Sequence, residues 1–394
     1  MSAAQPKLLY LVTEDWYFWS HRLPMARAAV AAGFKVGVAT RVDAHGERIR
    51  AEGFALHALH WRRGDFGPLA GLRSIAEIYR LYRRERPDLV HHISVKPAIY
   101  GGLAAFAARV PAVVSSLTGM GYSLASRGLT ARIARLPVSL ALRLLLAWRR
   151  SVLVVQNEAH RAALLALAPG AGDRVAVIRG SGVDTGHFTA LPDPPERPVA
   201  IGFVGRLLAD KGVPVLIEAY RRLLARGVPL RLVLAGQPDP ESPTSIPDGE
   251  IQAWLALPGL TWLGQVSDVR EVWARAHIAV LPSFHEGLPK SLLEAAACAR
   301  PIVATDIPGC REVAIAERNA LLVPVGDAAA LAGAIERLAR DDGLRQRLGT
   351  ASRSVVEPDL SDAHIGAETA ALYRRLAARS ARMTSVAGGR PRCS

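Results

Sequence analysis

Short apolar runs alternate with longer helical patterns along almost all of the 394 residues, and this alternation starts twice. Runs of this length, apolar throughout, are typical of parallel strands that are buried on both faces and joined by crossover helices. The runs are KLLYLVT (7–13), KVGVAT (35–40), FALHAL (54–59), DLVHHI (88–93), AVVSSL (112–117), SVLVVQ (151–156) and VAVIRG (175–180), then VAIGFVG (199–205), LRLVLAG (230–236), LTWLGQ (260–265), IAVLPS (278–283), PIVATD (301–306) and ALLVPV (320–325). The sequence therefore predicts an α/β fold with two doubly wound sheets.

The two sets of runs are separated by LPDPPERP (191–198), which has four prolines in eight residues. Proline disfavours both helix and central strand, so this stretch is predicted to be an interdomain linker. The chain length also suits two domains, at residues 1–190 and 199–361. The helical stretch 362–384 is expected to fold back onto the first domain. Ligands of such sheets bind beyond the carboxyl ends of the strands, and we expect the two edges to face each other across a cleft.

The cysteine content, the opening residues and the length of the apolar runs indicate the cellular compartment. The three cysteines, Cys298, Cys310 and Cys393, fit neither a disulfide framework nor the spacing of a metal site, which indicates a reducing compartment. The opening residues MSAAQPKLLYLVTEDW predict a first strand rather than a signal peptide. Apolar runs stay shorter than the roughly 18 residues of a membrane-spanning helix, so a cytoplasmic protein is expected.

Positive charge is concentrated in the first half of the chain. Residues 1–200 carry 26 Lys and Arg against 14 Asp and Glu, whereas residues 201–350 carry 16 against 17. This asymmetry suggests an anionic partner, which could be a nucleic acid, a membrane surface or a phosphorylated substrate. Six arginines are spaced along an apolar helical pattern at 126–150. That stretch fits either a helix on an anionic membrane surface or a buried crossover helix with solvated arginines.

Two glutamates mark the stretch FHEGLPKSLLEAAACA, which follows the predicted strand IAVLPS. Pro289 suits the first position of a helix, where the backbone N–H groups of Lys290 and Ser291 would form an anion site. Glu286 precedes this helix start, and Glu294 lies about 7.5 Å beyond it along the helix axis. Because carboxylates accept hydrogen bonds from vicinal hydroxyls, a phosphate flanked by two sugars fits here. The pattern predicts a sugar-nucleotide site, whereas isolated glutamates would simply be solvated.

A second stretch, GRLLADKG (205–212), follows the predicted strand VAIGFVG. Gly205 permits a turn, and Arg206 and Lys211 then lie on a loop before the next helix. Two cations at a strand end can bind a diphosphate, Arg through a forked contact and Lys as a point charge. No Asp-x-Asp motif occurs in the sequence. We therefore expect these cations to neutralise a leaving diphosphate without a metal or other cofactor.

Together, GRLLADKG and EGLPKSLLE resemble the retaining glycosyltransferases of family 4, which have two Rossmann-like domains in the GT-B architecture. The segments VIRGSGVDTGHF (177–188) and GQVSDVREVWARAHIAVLPS (264–283) are also similar to that family, so the resemblance covers nearly the whole chain. It implies catalytic roles for Glu286, Arg206 and Lys211, with Glu286 on the transferred sugar. It also implies that Glu294 binds the donor ribose. The remaining donor-binding residues that it implies are Gly205, Leu288, Lys290 and Ser291.

The first half resembles a subgroup of bacterial enzymes that extend lipid-diphosphate-linked sugars with N-acetylgalactosamine or related sugars. The similar segments are TEDWYFWSHRLPMARAA (13–29), HHISVKPAIYGGLAA (91–105) and SSLTGMGYSL (115–124). This chain departs from many family members in two places. Glu14 and Asp15 replace a glycine pair, and Thr118 replaces a histidine before the Gly-x-Gly that starts at Gly119. The candidate acceptor-side residues are Asp15, His21, His92, Thr118 and Gly119, with Asp15 considered as a proton acceptor.

The leading hypothesis is a retaining hexosyltransferase on the inner face of the plasma membrane. It would transfer a hexose or N-acetylhexosamine from a UDP-sugar to a polyprenyl-diphosphate-linked saccharide, as in O-antigen or lipopolysaccharide synthesis. Rival hypotheses are a non-hydrolysing UDP-sugar epimerase of the same architecture and a non-catalytic basic membrane-binding protein. GMGYSL (119–124) and GSGVDTG (180–186) lack the third glycine of a dinucleotide-binding motif, which disfavours an oxidoreductase. Nucleic-acid binding is disfavoured because aromatic residues make up only 6% and no nucleic-acid motif occurs.

Overall fold

The computed structural model describes residues 5–61, 67–118 and 129–388. The strands are β1 (Lys7–Glu14), β2 (Lys35–Arg41), β3 (Ala55–Ala58), β4 (Leu89–Ile93), β5 (Ala112–Ser116), β6 (Ser151–Val155), β7 (Val175–Val177), β8 (Val199–Val204), β9 (Leu230–Ala235), β10 (Leu260–Trp262), β11 (Ile278–Leu281), β12 (Ile302–Thr305) and β13 (Ala320–Val323). Each of them coincides with one of the apolar runs, so the predicted strands are confirmed.

Helices fill most of the intervals between these strands. They are α1 (Asp15–His21), α2 (Leu23–Ala31), α3 (Gly46–Ala51), α4 (Pro68–Glu85), α5 (Val95–Ala108), α6 (Leu129–Ala147), α7 (Glu158–Leu167), α8 (Val213–Ala225), α9 (Asp248–Trp254), α10 (Arg270–Arg275), α11 (Lys290–Ala297), α12 (Pro308–Arg311), α13 (Ala328–Arg340), α14 (Asp342–Val356) and α15 (Asp362–Gly388). Short 3-10 turns lie at Pro169–Arg174 and Ala209–Lys211.

The strands form two parallel sheets. Their orders are β3-β2-β1-β4-β5-β6-β7 and β10-β9-β8-β11-β12-β13. In each sheet the chain builds outward in one direction and then returns to the centre to build outward in the other, which is the doubly wound topology. The first sheet reverses between β1 and β4, and the second between β8 and β11. The predicted fold class is therefore confirmed.

Apolar side chains on both faces of the strands explain why these runs become buried strands. Along β1, Leu8, Tyr10 and Val12 enter one core cluster, whereas Leu9 and Leu11 enter the cluster on the opposite face. Successive side chains of a strand point to opposite faces, so a continuous apolar run fills two cores at once.

The chain divides into two compact units. Unit 1 comprises Met1–Ser181 and Ile365–Ser394, and unit 2 comprises Gly182–His364. The proline-rich stretch 191–198, which we expected to link the domains, packs within unit 2. There Arg300 donates a hydrogen bond to the carbonyl of Pro192 at 2.8 Å. The acceptor and donor roles assigned to the two stretches stay predictions.

Within unit 1, the last helix α15 covers one face of the sheet. Ile365, Leu372, Tyr373 and Leu376 belong to the same core cluster as Tyr10. The Tyr373 hydroxyl lies 2.8 Å from the Tyr10 hydroxyl and 2.6 Å from Nδ1 of His91. A buried hydroxyl thus joins the helix to two strands of the sheet.

Replacing Tyr373 with phenylalanine is expected to destabilise unit 1 by about 1–3 kcal/mol, because Tyr10 and His91 would each lose a buried hydrogen-bond partner. Faster amide exchange in β1 and β4, together with a lower melting temperature, would measure the effect. Tyr79→Phe is the matched control because Tyr79 is exposed on α4. Equal exchange rates in the two variants would show that the Tyr373 hydroxyl contributes nothing to stability.

Candidate functional site

The candidate site in unit 2 lies where the second sheet reverses direction. β8 and β11 are hydrogen-bonded neighbours, and both are parallel, so the loops that follow them leave the same edge. These are residues 205–212 and 282–289, the two stretches in which the sequence predicts donor-binding residues. Such a reversal opens a crevice at the carboxyl edge, which is where ligands of doubly wound sheets bind.

The two loops are in direct contact. Gly212 has a φ of +74°, and a Cβ atom built on it would lie 2.0 Å from the carbonyl oxygen of Pro282. The backbone N–H of Phe284 donates to the carbonyl of Asp210 at 2.9 Å. At the start of the first loop, Gly205 donates its N–H to the carbonyl of Ala235 at 3.0 Å. Only glycine allows the backbone of residue 212 to come so close.

This contact brings together two of the predicted catalytic residues. Nζ of Lys211 lies 2.6 Å from Oε1 of Glu286, although 75 residues separate them in the sequence. The Glu286 side chain is 9% exposed and that of Lys211 is 24% exposed, so the ion pair is largely shielded from water. The pair fixes the ammonium group at the sheet edge.

The other predicted cation is paired with a residue that the sequence analysis missed. Nη1 of Arg206 lies 2.5 Å from Oδ2 of Asp239, in the loop that follows β9. Asp239 is itself held, because its backbone N–H donates to Oγ of Ser245 at 2.9 Å and its Oδ1 accepts from the N–H of Glu241 at 3.2 Å. An acidic residue just after a neighbouring strand was the available signal, but no spacing rule connects it to Arg206.

Both cations keep hydrogen-bonding capacity for a ligand. A guanidinium group has five N–H donors and an ammonium group has three. Arg206 uses one of its five N–H donors to bind Asp239, and Lys211 uses one of its three to bind Glu286. The remaining donors form a positively charged pair of side chains that can contact an extended anion such as a diphosphate.

Helix α11 follows the second loop and begins one residue later than predicted. Pro289 is the N-cap, and its carbonyl accepts from the N–H groups of Leu292 and Leu293 at 3.2 and 3.3 Å. Lys290 and Ser291 therefore occupy the first two helical positions. Leu288, just before the cap, is buried.

Glu294 lies within α11 and is 8% exposed. Its Oε1 is 3.6 Å from Nζ of Lys290, one helical turn earlier. Burial raises the pKa of this carboxyl group, an effect that the positive charge of Lys290 opposes and that Asp268 reinforces. Glu294 is thus a buried carboxyl group on the helix that follows the second loop.

On the edge of the first sheet, the predicted residue Asp15 is fully buried. Its Oδ2 accepts hydrogen bonds from the backbone N–H groups of Asp43 and His45 at 2.7 and 2.8 Å. The carboxylate thereby ties the start of α1 to the loop that follows β2. These contacts give Asp15 a structural role, and its role as a proton acceptor stays a prediction.

The two candidate histidines of unit 1 differ in their surroundings. His21 stacks on Tyr17 with ring centroids 4.3 Å apart, and its Nδ1 lies 2.7 Å from the Ser20 hydroxyl. His92 is in the core, with Nε2 3.0 Å from the Tyr82 hydroxyl and Nδ1 3.1 Å from the Ser115 hydroxyl. Burial lowers the pKa of His92 to about 3, so it is neutral. Both of its ring nitrogens are engaged inside unit 1.

Thr118 lies just after β5, and its hydroxyl is 3.0 Å from that of Ser94, just after β4. Gly119 lies outside the described residues. Within residues 5–61, 67–118 and 129–388, no group of three or more His, Cys, Asp or Glu side chains is placed to hold a metal ion. Metal independence nevertheless stays a prediction. Over the same part of the chain, no helix is long and apolar enough to cross a membrane.

Family models match both halves of the chain. Residues 7–154 match a model described as "Glycosyl transferase 4-like", and residues 198–341 match one described as "Glycosyl transferases group 1". Together they cover more than half of the sequence. The chain belongs to the family 4-like glycosyltransferases. The sequence-based family assignment is thereby confirmed, and the glycosyltransferase activity follows from it.

Two curated proteins similar to this chain are named as glycosyltransferases. The glycosyltransferase is 23% identical over 327 residues to the capsular polysaccharide biosynthesis glycosyltransferase CapM of Staphylococcus aureus, covering 80% of this chain and 84% of CapM. It is 24% identical over 340 residues to the N,N'-diacetylbacillosaminyl-diphospho-undecaprenol alpha-1,3-N-acetylgalactosaminyltransferase of Campylobacter jejuni, covering 83% and 88% of the two chains.

Solved structures share the fold. Sucrose-phosphate synthase from Thermosynechococcus elongatus superimposes with a TM-score of 0.76 at 20% identity, covering 95% of this chain and 100% of that one. Anabaena HepE, in complex with UDP and glucose, superimposes with a TM-score of 0.73 at 18% identity, covering 94% and 99%. At these identities the similarity establishes the GT-B fold of the glycosyltransferase and leaves its substrates to other evidence.

Proposed function

We propose that the glycosyltransferase moves a hexose or N-acetylhexosamine from a nucleotide sugar, with UDP as the nucleotide, to a lipid-diphosphate-linked saccharide, and that the new bond retains the anomeric configuration. The observation that carries this proposal is the shielded Lys211–Glu286 ion pair at the reversal of the second sheet, followed along the chain by the helix that carries the buried Glu294. The activity would belong to the synthesis of a bacterial surface polysaccharide.

The donor diphosphate would bind between the two cations. Arg206 and Lys211 lie on one loop after β8, and each retains N–H donors beyond those given to Asp239 and Glu286. When the sugar leaves, negative charge builds up on the diphosphate, and fixed cations stabilise that charge in the transition state. Neutralisation by side chains would make a divalent metal unnecessary.

The two glutamates would hold the two sugars of the donor. Glu286 accepts one hydrogen bond from Lys211, which leaves other lone pairs of its carboxylate for a hydroxyl of the transferred sugar. Glu294, further along α11, would accept from the ribose hydroxyls. Lys290 and Ser291 at the helix start would approach the phosphates, where the helix dipole favours negative charge.

The reaction balances with these groups alone. The acceptor hydroxyl forms a bond to the anomeric carbon on the face from which the diphosphate departs, while the bond between that carbon and the phosphate oxygen breaks. The departing phosphate oxygen takes the hydroxyl proton. The products are the extended saccharide and the nucleoside diphosphate, and no side chain is required as a base.

The acceptor class rests on the relatives. The name of the Campylobacter enzyme describes an undecaprenol-diphosphate-linked saccharide as its acceptor, and CapM is named for capsular polysaccharide biosynthesis. HepE was solved with UDP and glucose, which supports UDP as the donor nucleotide. Unit 1, with its excess of positive charge, is the part proposed to bind the acceptor.

Transfer of radiolabelled sugar from a panel of UDP-sugars to a polyprenyl-diphosphate-linked disaccharide tests the proposal. Label is expected in the lipid fraction, with equal rates in the presence and absence of EDTA. Loss of activity with EDTA would contradict the metal-free diphosphate site. An epimerised nucleotide sugar formed without any acceptor would instead support the rival epimerase hypothesis.

We also propose that unit 1 docks on an anionic membrane surface. α6 is half-buried: Leu142, Leu145 and Leu146 enter the core. In contrast, Leu136, Leu140 and Leu144 are 68, 58 and 59% exposed. The four-residue spacing places these three side chains on one face.

Helix α5, which packs against α6, also exposes apolar side chains. Gly102 of α5 lies so close to α6 that a Cβ atom on it would be 2.6 Å from Cδ2 of Leu145. Leu103 and Phe106 on α5 are 50 and 64% exposed. We call Leu103, Phe106, Leu136, Leu140 and Leu144 the leucine face. Residues 101–150 contain seven arginines and no acid, a sequence charge that would complement anionic lipid headgroups.

Replacing both Leu140 and Leu144 with aspartate is expected to lower binding to vesicles of anionic lipid at least about tenfold, because two apolar side chains worth about 1.5–3 kcal/mol each would no longer insert. Sedimentation with vesicles measures the bound fraction. The matched control replaces Leu255 and Val325, two exposed apolar residues of unit 2, with aspartate in the same way. Equal binding of both double variants would rule out the leucine face as the docking surface.

The role of Glu294 predicts a pH dependence. Because burial raises its pKa, this carboxyl group becomes protonated at a higher pH than an ordinary glutamate, whose pKa is about 4.3. A protonated carboxyl group accepts ribose hydroxyls less well, so the donor KM is expected to rise as the pH falls from 8 toward about 5. Glu294→Gln should have a higher KM that changes little with pH. Parallel pH profiles for the two proteins would exclude Glu294 as the ribose ligand.

A further inference from the structure

Arg22 of unit 1 is a buried arginine that lies between α1 and α2. It is 5% exposed, and its Nε–H has no hydrogen-bond partner. Arginine remains protonated in proteins, so this side chain places a positive charge in the interior. An isolated buried charge is strongly unfavourable unless an opposite charge or hydrogen-bond acceptors compensate it.

The surrounding groups do not supply that negative charge. Tyr10, His91 and Tyr373 all lie within electrostatic range of Arg22. Burial raises the pKa of both tyrosines and lowers the pKa of His91 well below its usual value, so all three are neutral at physiological pH. Among the residues that the structure describes, no ion pair joins Arg22 to a carboxylate. The guanidinium therefore has no counter-charge within that part of unit 1.

Arg22 lines a small cavity at the carboxyl edge of the first sheet. The cavity has a volume of about 10 Å³, and its polar lining includes Ser116, Gln156 and Thr369. Ser116 ends β5, Gln156 follows β6, and Thr369 lies on α15. A cavity of this size admits about one water-sized species. The Arg22 guanidinium and the Gln156 amide can donate hydrogen bonds to it, whereas the Thr369 hydroxyl donates to the carbonyl of Ile365 at 2.8 Å and the Ser116 hydroxyl lies 2.7 Å from Nε2 of His91.

We propose that this cavity is a binding site for one monatomic anion, a halide, held by the Arg22 guanidinium and the side-chain amide of Gln156. A halide is close to water in size, accepts several hydrogen bonds and neutralises the buried positive charge. A water molecule would satisfy the Nε–H group and leave the charge uncompensated. A phosphate or sulfate ion exceeds the volume of the cavity.

The position of the site gives the anion a structural role. Arg22 belongs to the helical junction before α2, and Gln156 lies just after β6 of the sheet. A bound halide would therefore join two separate segments of unit 1 and stabilise the packing of the junction between α1 and α2 on the sheet. This inference is independent of the proposed sugar transfer.

The test is the thermal stability of the full-length protein in sodium chloride or sodium bromide, compared with sodium methanesulfonate at the same ionic strength. The halides are expected to raise the melting temperature and the large anion is not. Above the dissociation constant, a tenfold increase in halide should multiply the folding equilibrium constant of unit 1 by about ten. Identical melting curves in all three salts would overturn the proposal.

Two variants and one direct measurement sharpen the test. Arg22→Met should abolish the halide dependence, whereas Arg27→Met, which removes the same charge from the exposed face of α2, should preserve it. A crystal grown in bromide should show an anomalous peak within hydrogen-bonding distance of Arg22, a result that does not depend on the folding of any variant. Halide dependence that persists in Arg22→Met, or bromide peaks only elsewhere, would overturn the site.

Discussion

Replacing Lys211 with alanine is expected to lower kcat/KM for the nucleotide sugar by about 100- to 1,000-fold, the range observed when one group that stabilises developing negative charge is removed. Lys211 is paired with Glu286 at 2.6 Å, so the substitution also leaves a largely buried carboxylate without its cation. A loss of stability is expected together with the loss of activity. Steady-state kinetics and the melting temperature measure the two effects separately.

A double variant separates catalysis from stability. Lys211→Met combined with Glu286→Gln removes both charges of the pair, so the melting temperature should recover toward that of the wild type while activity stays low. Arg222→Ala is the control, because Arg222 is an exposed residue of α8 that pairs with Glu218 in the same unit. Wild-type kinetics in the Lys211→Ala protein would remove this lysine from the catalytic site.

Gly212→Ala is expected to destabilise unit 2 by about 4 kcal/mol or more, a size that is exceptional for a single substitution. Two effects add. An L-residue in the left-handed region costs about 1–2 kcal/mol, and the new methyl group would stand 2.0 Å from the carbonyl oxygen of Pro282. The loops that carry Lys211 and Glu286 would have to separate, so donor binding should weaken as well. Chemical denaturation and donor KM measure these losses.

Gly227→Ala is the matched control for this experiment. Gly227 also has a positive φ, +70°, but a Cβ atom on it would have no neighbour within 4 Å. This variant should lose only about 1–2 kcal/mol of folding stability, which is the cost of placing an L-residue in the left-handed backbone region, and it should keep its activity. Similar destabilisation in both variants would mean that the contact between the loops is unimportant.

Much of this architecture follows from local sequence patterns. The strands of the described residues could be predicted because most of them are buried on both faces, and such a strand must be apolar along its whole length, which is visible in any window of five or six residues. The same reasoning places 205–212 and 284–294 at strand ends. The family resemblance then joins these two stretches in one donor site, which neither stretch indicates by itself.

The sequence patterns did not predict the contacts of side chains whose role depends on the direction in which they point. His91 and His92 are consecutive in β4, so they point to opposite faces of the sheet. His91 bonds to Tyr373 on one face and His92 to Tyr82 on the other. Likewise, α6 is neither wholly buried nor wholly exposed, since its rotation about its axis places Leu145 in the core and Leu144 outside.

The amino-acid pattern alone therefore determined that two parallel sheets form and which loops leave their carboxyl edges, because burial and chain direction are local properties. Only the tertiary structure decided that Lys211 is paired with Glu286, Arg206 with Asp239, and Arg22 with no carboxylate of the described chain. Such pairings depend on how loops distant in sequence pack against one another. A hydrophobic pattern with a period of two or four residues carries no information about the distances between such side chains.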